Sequence, residues 1–130
     1  MRAVILVAAA MSLAASAANA NPVGLWRAKD GAQIRIGKCG AALCGHVAVA
    51  RIDPATGKPA LAKHGGRPLT GLQIIIGMRA DGPGKWTGKL YNEDDGQLYD
   101  GHLVERGPRQ LRIEGCSLGI CGGDELTRIR

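Results

Sequence analysis

Apolar and polar residues alternate in short runs along most of the chain after residue 20, and glycines at turns separate these runs. The segment 32–36 is the clearest example, because Ala32, Ile34 and Ile36 fall on one face and polar residues on the other. Alternation with a period of two is typical of a half-buried β-strand, whereas an amphipathic helix repeats every three to four residues. No helical period is sustained in this part of the sequence. The pattern therefore predicts an all-β fold.

About eight predicted strands follow one another at 24–28, 32–37, 44–52, 72–78, 85–91, 97–105, 110–115 and 124–130. This rhythm is typical of a β-sandwich or a small antiparallel β-barrel, and a barrel is favoured because closure leaves no unpaired edge strand. Within 44–52, Val47 and Val49 are expected on one face, and His46, Ala48 and Ala50 on the other. The longest irregular segment, 53–68, is rich in Pro and Gly, and such a loop is functional or mobile.

Residues 1–20 have the organisation of a cleavable signal peptide. Arg2 gives a positive start, Val4 to Met11 is an apolar run, and Ala18-Asn19-Ala20 has the small-x-small pattern of a cleavage site. The apolar run is shorter than the ~20 residues that span a bilayer, so a membrane anchor is the less favoured alternative. We therefore expect residues 21–130 to form a single periplasmic or secreted domain without a transmembrane segment.

The predicted mature chain is basic and poor in aromatic residues. Without Arg2 it has 16 Lys and Arg against 11 Asp and Glu, a formal charge of +5. These basic residues are scattered, which favours a solvated surface, and the anions they would meet outside the cytoplasm are envelope components. The sequence contains no Phe, two Trp and two Tyr. Because so few rings are left for a stacking platform, we expect no nucleic-acid partner.

The four cysteines form two copies of one pattern, in which Cys39 and Cys44, and then Cys116 and Cys121, are separated by four residues and followed by glycine. An even number of cysteines in an exported chain predicts disulfides. The spacing suits a local clip across a tight connection between adjacent strands, so local pairing is favoured. Crossed pairing and a four-cysteine zinc site remain the alternatives.

Titratable side chains provide four candidate ligand-binding residues, His46, Arg67, Asp100 and His102. Asp100 and His102 share one face of a predicted strand. The pair is interpreted as a general base with its orienting carboxylate, as half of a metal site, or as a solvent-facing hydrogen-bonded pair. Arg67 lies in the irregular segment, where it can contact an anion. The only serine after residue 20, Ser117, lies between two cysteines without a nucleophile motif. We therefore predict no catalytic residue, no metal site and no cofactor.

Several segments, in their order along the chain, resemble the secreted bacterial family known as domain of unknown function 2147. The matching segments are Gly24-Leu25-Trp26, Ile36 to Gly45, Gly66 to Leu72, Trp86 to Tyr91, Gly96 to Tyr99 and Thr127-Arg128. The chain departs from the family at Leu126, where a tryptophan is usual, and at Glu93-Asp94, where Asp-Pro is usual. The resemblance implies an extracytoplasmic β-domain and assigns no activity.

A looser resemblance connects the chain to lipocalin-like barrels. A Gly-x-Trp in the first strand and an arginine in the last are similar to the pattern in which the arginine packs across the tryptophan and closes the barrel. Trp26 and Arg128 occupy these positions. The resemblance implies a structural cation–π contact worth about 1 kcal/mol. The alternative is an ordinary core tryptophan and a surface arginine.

Three functions are consistent with these features. The favoured hypothesis is a non-enzymatic binding module of the cell envelope, with a small apolar or amphipathic ligand in the barrel mouth. The alternative is a structural or interaction protein that docks on anionic envelope components or a protein partner through its basic surface and segment 53–68. An enzyme acting through Asp100 and His102 is less favoured. A barrel filled by its own side chains would leave no cavity for the first hypothesis.

Overall fold

The computed structural model describes residues 21–130, and the predicted signal peptide lies outside them. Every regular element in this range is a β-strand, which confirms the all-β prediction. The strands are β1 Gly24–Arg27, β2 Gln33–Cys39, β3 Ala42–Val49, β4 Gln73–Ala80, β5 Lys85–Asn92, β6 Gln97–Gly107, β7 Gln110–Ser117 and β8 Ile120–Arg128. Residues 21–130 contain no helical segment with the length and hydropathy needed to span a bilayer.

The eight strands form a closed antiparallel barrel in which each strand pairs with its neighbours in sequence. β1 and β8 complete the cylinder through the pairs Trp26–Arg128 and Arg27–Thr127. Since the strands run up and down in turn, successive connections alternate between the two ends. We call the end with the β1–β2, β3–β4, β5–β6 and β7–β8 connections the mouth. The opposite end, where residues 21–23 and 129–130 lie, is the floor.

The hydrophobic core fills the half of the barrel nearer the floor. β2 shows how the alternation builds it, because Ile34 and Ile36 are buried and Arg35 between them is exposed. The core cluster consists of Trp26, Ile34, Ile36, Ile75, Met78, Leu103, Leu111 and Leu126. Burial of a large apolar side chain stabilises a fold by about 1.5 to 3 kcal/mol. This cluster is therefore the main source of the stability of the barrel.

Arg128 closes the floor across the ring of Trp26. Its guanidinium carbon lies 4.3 Å from the ring centroid, and its Nη1 donates a hydrogen bond to the carbonyl of Val23 at 3.0 Å. The indole Nε1 of Trp26 donates to the carbonyl of Pro22 at 2.8 Å, so the buried ring has no unpaired polar atom. These contacts tie the first strand, the last strand and the preceding segment together.

Two disulfides clip hairpins at opposite ends of the barrel. Cys39–Cys44 bridges the β2–β3 connection at the floor with Cα atoms 5.8 Å apart. Cys116–Cys121 bridges the β7–β8 connection at the mouth with Cα atoms 4.1 Å apart. The local pairing is confirmed. Because these bonds use all four thiols, the crossed pairing and the four-cysteine zinc site are wrong.

The long connection between β3 and β4 folds back beside the mouth. It contains two isolated antiparallel bridges, Ile52–Pro59 and Leu61–Pro68. A second apolar cluster holds the connection against β3, and its buried members are Val47, Ala50, Ala60, Ala62 and Leu69. The segment around 53–68 is thereby attached to the barrel wall through small side chains.

A bulge in β3 changes which residues of this strand face the interior, so the predicted faces differ from the observed ones. Gln33 pairs with Val49, but the next residue of β2 pairs with Val47, so Ala48 is an extra residue in the ladder. Val47 is buried, whereas Val49 is 46% exposed and Ala50 is buried. The prediction that Val47 and Val49 share a face is therefore wrong beyond the bulge.

Candidate ligand-binding site

The half of the barrel nearer the mouth holds a cavity of about 550 Å³. Its walls come from interior side chains of the strands and from the connections at the mouth. Small-molecule sites in proteins are commonly concave volumes of roughly 300–1,000 Å³. The barrel is therefore not filled by its own side chains, and the cavity has the size of a ligand site.

The lower wall of the cavity is apolar. It is formed by Ile34, Ile74, Leu90, Ile113 and Leu126, which belong to the core cluster or pack against it. An apolar group that enters this space loses contact with water at a gain of roughly 25 cal/mol per Å² of buried apolar area. The lower wall can thus hold the apolar body of a ligand.

A row of four strand glycines runs across one side of the interior. Gly88, Gly101, Gly115 and Gly122 are successive cross-strand partners on β5, β6, β7 and β8. A Cβ added at Gly101 would lie 2.6 Å from Cγ of Leu90, so a neighbouring side chain already fills this part of the row. A Cβ added at Gly122 would meet nothing within 4 Å. The absence of side chains at Gly115 and Gly122 therefore widens the cavity, which both residues line.

The upper wall carries an ion-paired cluster. Nη1 of Arg51 lies 3.0 Å from Oε1 of Glu93. The side chain of Arg51 is 25% exposed and that of Glu93 is 19% exposed. Oε2 of Glu93 accepts the backbone N–H of Lys63 at 2.9 Å, and Nζ of Lys63 lies 3.4 Å from Asp94. These contacts join the β3–β4 connection to the β5–β6 turn and brace one side of the mouth.

Tyr99 faces the cavity from β6, because its cross-strand partner is Leu90 of the lower wall. Its hydroxyl donates a hydrogen bond to Asp95, which also accepts the backbone N–H of Gln97. The bond from Tyr99 is the main cause that lowers the pKa of the Asp95 carboxyl, and the same bond raises the pKa of Tyr99. The ionised Asp95 therefore supports the conformation of the β5–β6 turn.

Asp124 places a carboxylate on the inner face of β8. Its cross-strand partner is Ile113, and Leu126 two residues further on is fully buried. Directly opposed residues of an antiparallel ladder point to the same side, so Asp124 faces the cavity that it lines. Within residues 21–130 it takes part in no ion pair. Sequence reasoning missed this residue, because only the register shows that it points inward.

The predicted pair Asp100 and His102 lies on the outer wall of the barrel. Lys89 is the cross-strand partner of Asp100, and Thr87 is that of His102. Nζ of Lys89 donates to Asp100 and lowers the pKa of this carboxyl, while Nδ1 of His102 lies 3.1 Å from Oγ1 of Thr87. The two residues share a face, but each contacts a different partner and both point away from the cavity.

His46 and Arg67 lie at two further places. His46 is exposed on β3, where it lines a groove of about 370 Å³ on the outer wall together with Arg35 and Lys38. Arg67 lies in the β3–β4 connection and lines a separate depression with Tyr91. The structure therefore does not bring the four candidate residues together.

One group of three potential metal ligands occurs within residues 21–130, formed by Glu114, Cys116 and Cys121. Both sulfurs belong to the disulfide at the mouth. Since a metal takes the thiolate form of cysteine, this group offers one usable ligand and is no metal site.

The exposed large apolar side chains lie in segments at the mouth end of the barrel. Those of residues 21–130 are Val49, Ile52, Leu61, Leu98, Leu118 and Ile120, and all belong to segments at the mouth. Leu118 is 99% exposed at the tip of the β7–β8 hairpin. The mouth is therefore the end at which the barrel presents apolar groups to its surroundings.

The sequential eight-stranded barrel, the arginine across a tryptophan at its floor and the cavity at its mouth define a lipocalin-like barrel. The fold is similar to that of protein HP1028 from Helicobacter pylori, which is described as belonging to the lipocalin family. The two structures superpose with a TM-score of 0.62, and their sequences are 14% identical. The match covers 85% of this chain and 84% of that chain. The chain belongs to the family of uncharacterized proteins conserved in bacteria, domain of unknown function 2147, which matches residues 24–128. Both resemblances seen in the sequence are confirmed. No curated protein matches the sequence.

Proposed function

We propose that the protein is an exported, non-enzymatic binding module that holds one small amphipathic ligand in the mouth of its barrel. The observation that supports this proposal is the cavity, which has an apolar lower wall and a polar upper wall. A ligand with an apolar body and a polar end matches both. Its body would leave water beside Ile74 and Ile113, and its end would stay at the rim near solvent.

Bracing of the mouth supports a preformed site. The Cys116–Cys121 disulfide fixes the β7–β8 hairpin, and the pair Arg51–Glu93 joins two other connections. Groups that are already held in place lose little conformational entropy when a ligand binds, which improves affinity. The exposed apolar side chains of the mouth end would favour the approach of an apolar group.

The compartment is part of the proposal. Disulfides form and persist outside the cytoplasm, and residues 1–20 have the pattern of a signal peptide. We expect cleavage after Ala20 and a periplasmic or secreted domain of residues 21–130. The mass of the denatured protein from its own host would give the cleavage site.

Native mass spectrometry of the protein purified from its periplasm tests ligand binding. We expect the native mass to exceed the denatured mass by one discrete small-molecule increment. In the variant Gly122→Phe this increment should disappear, because an added side chain at residue 122 enters open cavity space without a contact at Cβ.

The matched control is Gly107→Phe, at the end of β6 near the floor, where an added Cβ also meets nothing within 4 Å. This variant should keep the increment and show the same melting temperature change as Gly122→Phe. Equal native and denatured masses of the wild type, or an increment that survives in Gly122→Phe, would count against a ligand in the barrel.

A second candidate function is docking on anionic envelope components. It is favoured by the outer groove in which Arg35, Lys38 and His46 lie together. Retention on vesicles with anionic lipids should fall as salt rises, because salt screens exposed charges. The double variant Arg35→Gln/Lys38→Gln should lose this retention, whereas Gly122→Phe should keep it. Retention that does not respond to salt would contradict this function.

A further inference from the structure

The charges at the upper wall indicate what kind of polar end the ligand carries. We propose that this end is cationic, as in an alkylammonium or another amine-bearing amphiphile. The inference rests on the proposed function, because it concerns the occupant of the same cavity. It is carried by one inward-facing carboxylate, by the pairing of the other charges in the cavity lining and by the ring of Tyr99.

Asp124 occupies the place where the apolar and polar walls meet. It is the cross-strand partner of Ile113, and it precedes the buried Leu126 by two residues on the same face. The Asp124 carboxylate is exposed to solvent at the mouth, so a cation that enters the cavity can approach it directly and is attracted as by a hydrated carboxylate. A ligand whose apolar body lies against Ile113 would bring its polar end to this oxygen pair.

The cavity has an excess of negative charge. Its ionisable acidic and basic lining residues are Asp30, Glu93, Asp94, Asp124 and Arg51. The single guanidinium, Arg51, is 3.0 Å from Glu93 and is thereby neutralised. Asp94 is paired with Lys63, which lies 3.4 Å away. The remaining two carboxylates, Asp30 and Asp124, have no basic partner in the cavity lining, although Asp30 accepts the backbone N–H of Ala32. An anionic end group would be repelled by both.

The charge of the cavity is opposite to that of the molecule. Residues 21–130 carry 16 Lys and Arg against 11 Asp and Glu, a formal charge of +5. Clefts with low-dielectric walls focus the field of the charges that line them, so the local sign decides which ion enters. The outer surface would collect anions, whereas the mouth selects cations. A cationic ligand is therefore bound because of the charges that line the cavity, and not because of the net charge of the protein.

An aromatic residue in the cavity also favours a cationic end group. Of the four in the sequence, Tyr99 faces the cavity from β6, whereas Tyr91 lies on the outer face of β5 opposite the exposed Leu98. Trp26 and Trp86 belong to the floor. The face of a tyrosine ring attracts a cation through its quadrupole. The Tyr99 ring thus offers the cavity an aromatic contact for the substituents of an ammonium group that cannot donate hydrogen bonds.

The test compares three probes with the same apolar chain: decyltrimethylammonium, decyl sulfate and decyl maltoside. Each is titrated into residues 21–130 by calorimetry at concentrations below micelle formation. We expect the cationic probe to bind with a stoichiometry of one, about tenfold or more tighter than the uncharged probe, with the sulfate weakest. Added salt should reduce the preference, because it screens the charges at the rim.

The variant Asp124→Asn keeps the shape of the side chain and removes its charge. It should bring the affinity for the cationic probe close to that for the uncharged one and leave the uncharged probe unaffected. The matched control, Asp81→Asn, removes one charge at the β4–β5 turn near the floor, where Asp81 accepts a hydrogen bond from Thr87. This control should keep the wild-type preference.

The outcomes separate the two proposals. Binding of all three probes with equal affinity, or a preference that Asp124→Asn does not change, would overturn the cationic assignment and keep the ligand site. No binding by any probe, or binding that persists in Gly122→Phe, would overturn the ligand site and the assignment with it. Melting curves of both Asn variants establish that each is folded.

Discussion

At the scale of single residues, the mouth differs most from the rest of the barrel. Leu118 has a φ of 52° and is 99% exposed, and Asp124 points inward next to apolar side chains. At the floor, by contrast, Trp26 is 2% exposed and its polar atom is paired. Residues that depart from local preferences concentrate at functional sites. This contrast agrees with the assignment of binding to the mouth.

Replacement of Leu118 by asparagine should stabilise the protein. A non-glycine residue in the left-handed region is strained, and asparagine tolerates this region better than leucine does. Since the leucine side chain makes almost no buried contact, little packing is lost. We expect Leu118→Asn to raise the free energy of unfolding by about 0.5 to 1 kcal/mol in urea denaturation. Leu98→Asn, an exposed leucine within β6, should bring no gain, and a loss of stability in Leu118→Asn would contradict the strain.

The candidate residues show what the sequence reveals at this scale. Alternation places Asp100 and His102 on one face, and the structure agrees. Whether that face points inward depends on the buried neighbours. Gly101 between the two residues and Leu103 after them are both buried, so the face of Asp100 and His102 points outward. Asp124 is the first residue of the last predicted strand. The side to which its carboxylate points can be inferred only when its cross-strand partner, Ile113, is known.

At the scale of strands, the glycine row decides where the barrel is full and where it is open. The row crosses β5 to β8 at Gly88, Gly101, Gly115 and Gly122. No local pattern predicts it, because each glycine lies in a different strand and the row exists only through the register. The same holds for the bulge at Ala48, which needs the ladder with β2 to be seen. The strands themselves were predictable, since alternation is local.

Two alanine substitutions in this row should have different effects. At Gly101 the added methyl would lie 2.6 Å from Cγ of Leu90 and 2.9 Å from Cε of Met78, whereas at Gly115 its nearest neighbour would be Cβ of Tyr99 at 3.5 Å. Overpacking of a filled core costs about 1 to 3 kcal/mol. We therefore expect Gly101→Ala to lower the free energy of unfolding by this amount and Gly115→Ala to leave it nearly unchanged. Equal urea midpoints for the two variants would contradict the description of the row.

The two disulfides should contribute equally to the stability of the protein but differently to ligand binding. Each closes a loop with a sequence separation of 5, so each should contribute about 2 kcal/mol by chain entropy. Replacement of Cys39 and Cys44 by alanine should leave binding of the cationic probe intact. Replacement of Cys116 and Cys121 should cost similar stability and weaken binding, because that hairpin carries the cavity wall. Equal affinities in both double variants would show that the disulfide at the mouth does not support the site.

At the scale of the whole molecule, ionised carboxylates connect stability to pH. The pKa of Asp95 is lowered first by the hydrogen bond from Tyr99, and that of Asp100 first by the bond from Lys89. A carboxyl with a lowered pKa in the folded state binds fewer protons there than in the unfolded chain. Its stabilisation is present above the unfolded pKa of about 3.8 and is lost as the pH falls through the folded value.

The melting temperature of the wild type should therefore fall as the pH drops below about 4. Tyr99→Phe removes the main cause of the lowered pKa of Asp95, so its melting temperature should be lower at pH 7 and should decline less steeply in acid. Tyr91→Phe keeps the bond between Tyr99 and Asp95 and should follow the wild-type acid curve. Parallel acid curves for wild type and Tyr99→Phe would contradict this linkage.

The floor brings the two ends of the described chain together. The backbone N–H of Leu25 donates to the carbonyl of Arg130 at 2.7 Å, and the Arg128 guanidinium donates to the carbonyl of Asn21. Both ends thus leave the barrel on the side away from the cavity. A tether at either end would hold the protein on a sensor chip or a bead with its entrance turned toward the solution. Every immobilised copy would then offer the cavity to ligand in the same orientation.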